Sequence, residues 1–303
     1  MRVGFVGLGR MGRGMAHRLV DGGHDVAVYD VLPAAAASLV TAGARAASSV
    51  QDVCVDRDVV ITMLVEDATV LEVALAPGGL RDCMRPGAVH LAMGTYGVAT
   101  ILELTAAHTR GGQHLVAAPV LGRPDLAAKG LLGIVAGGPA DALETCTPLL
   151  TQIGRRIFRA GTAPVSATAI KLANNHLLGC ALVSMAEALS LTRAHGIDPR
   201  LLYQVFTSAG FGGAAYHGYG RTMVEEGFDA VGSPVTVGLK DAGLIRDAAT
   251  HAAVPMPSLN VYRDRLVGAV AHGDGSRDQA VLAREQNRLA GIEPLPSLPG
   301  AKA

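Results

Sequence analysis

The chain has 303 residues, half of them hydrophobic, with 26 basic and 26 acidic side chains and a formal net charge of zero. That length suggests roughly two domains and leaves ample apolar material for a buried core. The absence of net charge argues against a nucleic acid or an anionic membrane as partner, because both recruit a basic excess.

Cys54, Cys83, Cys146 and Cys180 are scattered, without a C-x-x-C pair or a metal-ligand spacing. They fit reduced thiols of a cytoplasmic protein better than a disulfide framework. His24, His176 and His217 also lack ligand spacing, so no metal is expected. The N-terminus opens directly into a strand-like run, and no signal peptide is expected. No apolar stretch is expected to reach the roughly 18 residues that a membrane-spanning helix needs.

Taken in chain order, apolar or β-branched runs at 3–6, 25–29, 59–64, 88–93, 115–120, 131–135 and 156–159 read as strands. Ala/Leu-rich stretches of helical length lie between most of them, at 11–21, 34–42 and 98–110. Alternating helices with nearly all-apolar strands imply an α/β domain, its parallel sheet covered on both faces. From 164 to 257 only helical periodicity remains, broken at Gly196, Pro199, Gly210, Gly227 and Pro234. Gly161-Thr162-Ala163-Pro164 is the expected junction, with Pro164 suited to a first helical turn. The expected division is a sheet domain at 1–162, a helical domain at 163–292, and a loose proline-containing tail at 293–303.

The first strand runs into Gly7-Leu8-Gly9-Arg10-Met11-Gly12, a G-x-G-x-x-G turn that opens a helix. Gly7 suits the tight turn, Gly9 a close backbone approach to a pyrophosphate, and Gly12 close packing of helix on strand. The anion would sit on free N–H groups at the positive end of the helix dipole. Such turns also occur as plain structure, but here the next strand ends at Asp30, placed to accept hydrogen bonds from ribose hydroxyls. A carboxylate there repels a 2′-phosphate, and Val31-Leu32 supply no arginine to neutralise one. NAD is therefore the expected cofactor. NADP stays open through a more distant cation such as Arg45.

The segment 164–195 reads as one long helix, apolar on most faces through Ile170, Leu172, Leu177, Leu178, Leu182, Val183, Met185 and Leu189. Such a helix is expected to be buried. Lys171 interrupts it, with Asn174 and Asn175 on the same face one turn later. A lysine in that setting is costly unless paired, snorkelling or functional. One reading is a buried polar network or a lysine reaching solvent. The other is chemical: an ammonium can stabilise and protonate a developing alkoxide, and a neutral lysine can take a hydroxyl proton.

Four segments together resemble the β-hydroxyacid dehydrogenases, the group that includes 3-hydroxyisobutyrate dehydrogenase, over about residues 2–290. They are GFVGLGRMGRGMA at 4–16, AAPVLGRPDLAAKGLLGIVAGG at 117–138, KLANNHLLGCALVSMAEAL at 171–189 and GLKDAGL at 238–244. The resemblance implies a Rossmann-type doubly wound parallel sheet, an all-α C-terminal domain, and a cleft between them. It implies Lys171 as catalytic acid/base, with Asn175 and Asn174 positioning a small-molecule substrate. Met63, Leu64 and Thr95 would line the nicotinamide site, and Lys240 would close over cofactor and substrate; a solvated Lys240 paired with Asp247 or another local carboxylate is the plain alternative. Leu121, Gly122 and Arg123 would face the substrate, and a homodimer or homotetramer is implied.

Two departures concern the substrate half. The family's P-V-S-G-G appears here as Pro119-Val120-Leu121-Gly122-Arg123, so an apolar side chain replaces the serine, and Arg123 becomes either a candidate anion clamp or a loop arginine pointing to solvent. The D-x-S-T stretch appears as AMGTYG at 92–97, with Gly94 at the serine position and Tyr96 read as a packing residue. The expected reaction is hydride transfer between NAD(P) and a 3-hydroxyacid, its semialdehyde or a related carbonyl. Imine reduction shares the architecture, but Lys171 and Asp30-Val31 speak against it. A dinucleotide-binding protein without turnover would leave the lysine–asparagine pair unexplained.

Overall fold

The computed structural model describes residues 1–293, so the expected tail lies outside the described residues from position 294. By its contacts the chain forms two compact units, one of Met1–Ala173 and one beginning at Asn174.

The first unit alternates strands and helices. It opens with β1 (Arg2–Val6), α1 (Gly12–Asp21), β2 (Asp25–Tyr29), α2 (Ala37–Thr41), β3 (Arg45–Ala46) and α3 (Val50–Cys54). There follow β4 (Val59–Thr62), α4 (Asp67–Leu75), α5 (Leu80–Cys83), β5 (Val89–Ala92), α6 (Val98–Arg110) and β6 (His114–Ala117). These six strands form one parallel sheet in the order β3-β2-β1-β4-β5-β6. That is the doubly wound Rossmann order, whose direction of growth reverses between β1 and β4. Alternate residues serve opposite faces. Val3, Phe5, Val59, Ile61 and Leu91 enter one core, and Ala27, Val60 and Ala92 enter the other. Each large apolar side chain buried this way contributes about 1.5–3 kcal/mol, which is why the strands read as unbroken apolar runs.

The expected strand at 115–120 is two strands. The chain leaves the sheet at Ala118-Pro119 and starts a second one, with β7 (Val120–Leu121), α7 (Pro124–Ala128), β8 (Leu132–Ala136), α8 (Ala140–Ile153) and β9 (Gly154–Arg159). Its order is β7-β8-β9, antiparallel for the first pair and parallel for the second. The runs at 131–135 and 156–159 thus belong to a smaller sheet of their own. Pro119 has no N–H to donate and marks the exit.

Helix α9 (Pro164–Ala194) runs from the first unit into the second. Two expectations about it are corrected. It is long and apolar enough to cross a membrane by length and composition alone, with 39% of the window buried. It is also not buried all round: Leu172, Leu182, Met185 and Leu189 are, whereas Ile170 is 47% exposed and Leu177 69%. The exposed positions 170, 177, 184 and 191 recur every two turns and form one stripe. Its apolar content exceeds what one chain covers.

The second unit continues with α10 (Pro199–Ser208), α11 (Ala214–Glu225), α12 (Val235–His251), α13 (Pro257–Ala271) and α14 (Leu282–Leu289), helical as expected. Asp198 caps α10 by accepting the Arg200 N–H, with Pro199 in the first turn. Gly179 lets α9 approach α13, because a Cβ there would stand 2.6 Å from the Tyr262 ring.

Candidate active site

The switch point between β1 and β4 is where an open α/β sheet binds ligands, outside the carboxyl ends of its strands. Gly7 ends β1 at φ +97°, a conformation that L side chains rarely adopt, and a Cβ there would stand 2.5 Å from the Met63 carbonyl oxygen. A Cβ on Gly12 would overlap the Gly7 carbonyl oxygen, whereas at Gly9 nothing lies within 4 Å. No side chain caps the N-terminus of α1. The turn is therefore a cradle with open space above Gly9 and helix-terminal N–H groups facing it, which suits a pyrophosphate. Leu8 is buried, Met11 packs on the core and Arg10 is exposed.

Asp30 closes the cradle from β2. Its Oδ2 accepts the Leu8 N–H at 2.7 Å and its Oδ1 the Leu32 N–H at 2.9 Å. A carboxylate has about four lone-pair sites, so acceptor capacity remains for ribose hydroxyls. Arg45, the more distant cation weighed from the sequence, binds Asp52 at 2.6 Å.

Met63 and Leu64 follow β4, and Thr95 follows β5. The Met63 N–H donates to Val6 at 2.9 Å, and the Leu64 N–H donates to the Tyr96 hydroxyl at 3.2 Å. Tyr96 is buried, as its packing role requires, and burial pushes its phenol up, so it stays protonated. The Thr62 side chain stands close enough to the Tyr96 phenol to offset part of that rise. From Thr62 a buried polar chain continues: Oγ1 to His90 Nε2 at 2.9 Å, His90 Nδ1 to His108 Nε2 at 2.9 Å, and His108 Nδ1 to Gln113 Oε1 at 2.7 Å. Gln113 Nε2 donates to the carbonyls of Arg81 and Met84 at 2.9 and 2.6 Å. The sequence reading missed this chain. Its signal was present, since His90 interrupts an apolar strand as Lys171 interrupts an apolar helix.

Lys171 is half-buried, and its Nζ donates to the Val120 carbonyl at 2.8 Å. The amine is thereby held against the segment 120–123. There Leu121 packs partly into the core, Gly122 has φ +145°, and Arg123 precedes α7. In the second unit, Asn175 Nδ2 donates to Asp241 Oδ2 at 2.7 Å, and Lys240 Nζ pairs with Asp241 Oδ1 at 3.0 Å. Lys240 thus pairs with a local carboxylate, as the plain alternative had it, but the partner is Asp241; Asp247 bonds Arg246, and the Lys240 side chain is largely buried. Asp241 is the member that the sequence reading did not single out. Asn174 is exposed and makes no part of this group.

Two family profiles cover the chain. One, described as the NAD-binding domain of 6-phosphogluconate dehydrogenase, matches residues 2–161; the other, from NADP-dependent 3-hydroxyisobutyrate dehydrogenase, matches 166–285. An uncharacterized oxidoreductase of Bacillus subtilis is 34% identical over 94% of this chain and 99% of its own. The NAD-dependent L-serine dehydrogenase of Pseudomonas aeruginosa is 34% identical over 93% of this chain and 97% of its own. A solved 3-hydroxyisobutyrate dehydrogenase from Salmonella typhimurium superposes with a TM-score of 0.84 at 27% identity, covering 94% of this chain and 99% of that one. The chain belongs to the β-hydroxyacid dehydrogenase family. It is an NAD(P)-dependent oxidoreductase acting on CH–OH groups. A Pseudomonas imine reductase shares the fold at 20% identity and a lower TM-score of 0.61, so the dehydrogenase reading is favoured over imine reduction.

In this β-hydroxyacid dehydrogenase the histidine pair gives the sheet unit a pH dependence. Burial, and then His108, holds His90 well below the ordinary 6.5, and burial also lowers His108. In the unfolded chain both titrate near 6.5. Below that pH the unfolded chain takes up protons that the folded chain refuses. Stability should therefore be full above about pH 6.5 and fall below it, by up to about 1.4 kcal/mol per pH unit for each imidazole. Urea midpoints measured from pH 7.5 down to 5 should drop steeply, and a His90→Leu/His108→Leu variant should flatten the profile. A wild-type midpoint that holds constant over this range would refute the neutral pair.

Proposed function

We propose that this enzyme oxidises a 3-hydroxyacid to its semialdehyde, or runs the reverse reduction, with Lys171 as general acid/base. The observation that carries the reading is the Lys171 amine held at 2.8 Å on the Val120 carbonyl, beside the segment assigned to the substrate. The bound nicotinamide supplies the hydride acceptor or donor. Lys171 takes the hydroxyl proton in one direction and returns it to the alkoxide in the other. Asn175, one helical turn on, orients the substrate, and Asp241 fixes the Asn175 amide so that its carboxamide cannot rotate freely. Asn174 and the stretch Leu121, Gly122 and Arg123 complete the substrate side. Lys240, anchored by Asp241, completes the cofactor side.

The relatives' names support a common substrate chemistry. They include dehydrogenases of L-serine, 3-hydroxyisobutyrate and 2-(hydroxymethyl)glutarate. Each of these compounds carries a CH2–OH group on the carbon that bears a carboxylate. Arg123 is our candidate partner for that carboxylate in place of the missing serine. A Lys171→Ala variant assayed with such acids should lose activity by about 10²–10⁴-fold while binding cofactor normally. Retention of full activity would remove the acid/base role.

NAD is the preferred cofactor in this reading. Asp30 supplies a carboxylate where a 2′-phosphate would lie, Val31 and Leu32 beside it are exposed and apolar, and Arg45 is engaged by Asp52. Fluorescence titration should show NADH binding at least about tenfold more tightly than NADPH, the equivalent of about 1.4 kcal/mol. Tighter NADPH binding would overturn the assignment.

We also infer a homodimer or homotetramer in the cytoplasm. The exposed stripe of α9, with Ile170, Leu177 and Leu191, supplies apolar surface for a second copy. All four cysteines are free thiols. Light scattering should give the mass of two or four chains, and Leu177→Glu with Leu191→Glu should reduce it to one. A wild-type monomer would refute the assembly.

A further inference from the structure

Gly94 and Tyr96 are coupled by space. An ideal Cβ at position 94 would overlap the Tyr96 ring and stand 2.5 Å from the Leu64 carbonyl oxygen. The tyrosine therefore fits only because position 94 lacks a side chain. It brings a hydroxyl into contact with the Leu64 peptide, where the loops after β4 and β5 meet. A second bond joins the same loops, because Asp67 accepts the Gly97 N–H at 3.0 Å and the Thr100 hydroxyl at 2.6 Å.

The Tyr96 hydroxyl has one permitted orientation. Gln113 spends both amide hydrogens on the Arg81 and Met84 carbonyls, so its Oε1 can only accept, and His108 Nδ1 must carry a hydrogen. A neutral His108 then accepts at Nε2, which places a hydrogen on His90 Nδ1 and leaves His90 Nε2 an acceptor. Thr62 must donate to His90, which leaves the lone pairs of its oxygen beside the Tyr96 phenol. Because the Leu64 N–H donates to the Tyr96 oxygen at 3.2 Å, the hydroxyl hydrogen points away from Leu64 and is free to face Thr62. Thr62, His90, Tyr96, His108 and Gln113 are themselves buried.

We propose that Tyr96 is a positioning residue for hydride transfer: oriented by the Thr62–His90–His108–Gln113 chain, it fixes the Leu64 peptide and with it the surface on which the nicotinamide ring rests. This rests on the reading that Met63, Leu64 and Thr95 line the nicotinamide half of the cofactor site. The adenosine half depends on the glycine turn and Asp30, which Tyr96 does not touch. The two halves can therefore be probed separately, with NADH and with ADP-ribose, which lacks the nicotinamide.

Tyr96→Phe, which keeps the ring and removes the hydroxyl, should weaken NADH binding about fivefold, the loss of one net hydrogen bond, and leave ADP-ribose affinity within about twofold. Thr62→Val should act in the same direction and add nothing in the Tyr96→Phe background, because both act through one hydroxyl. Equal weakening of the two ligands, or unchanged NADH binding, would overturn the proposal and leave the cofactor site standing. A wild-type enzyme that binds NADH no more tightly than ADP-ribose would instead remove the nicotinamide reading itself, and the proposal with it.

Discussion

The first residue of α1 stands so close over the carbonyl of Gly7 that even a methyl group at position 12 would collide with it. This contact sets the path of everything around the switch point. It presses the helix N-terminus onto the end of β1 and leaves the turn only enough width for bare backbone. The turn is then wedged between neighbours on both sides, with Gly7 N–H on the Tyr29 carbonyl at 3.0 Å and Met63 N–H on the Val6 carbonyl at 2.9 Å. Asp30 locks the next peptide by taking the Leu8 N–H. A dinucleotide site built this way is rigid because its walls are main chain held by main chain.

The parts of the fold that were legible in the sequence are those where burial dictates composition. Strands of a sheet covered on both faces must be apolar throughout, so β1, β2, β4 and β5 announced themselves. The two-residue β3 did not, because Arg45 and Ala46 lie at the sheet edge and are exposed. The exit at Ala118-Pro119 was hidden because the same apolar residues serve either sheet. Helix α9 was overread for a related reason. Hydrophobicity all round a helix was read as burial on every face within one chain, and the chain leaves the stripe through Leu177 bare.

The candidate site was legible where an expensive residue stood in a cheap context. Lys171 was visible on that ground, and so by rights was His90, whose imidazole carries the same cost inside β5. Asp241 was harder to see. It follows a lysine on an amphipathic helix, where an acidic residue is ordinary, and only the fold shows that Asn175 and Lys240 share it. The buried cysteines make the contrast. Burial alone pushes the Cys146 thiol up to about 12, an inert state with no partner to exploit it.

The bond from Lys171 to the Val120 carbonyl has a consequence for the amine itself. A carbonyl oxygen accepts from an ammonium and from a neutral amine alike, so this bond survives when a proton leaves. It acts as a pivot stop on the rotation about Cε–Nζ: one N–H always points at Val120, and the vacated lone pair must point elsewhere. A lysine on a free stem would have to find its direction again after every proton transfer, at a cost in side-chain entropy. In the proposed reaction the Val120 backbone oxygen would help to keep that aim between turnovers, and this anchor is written into a strand rather than into another mobile side chain.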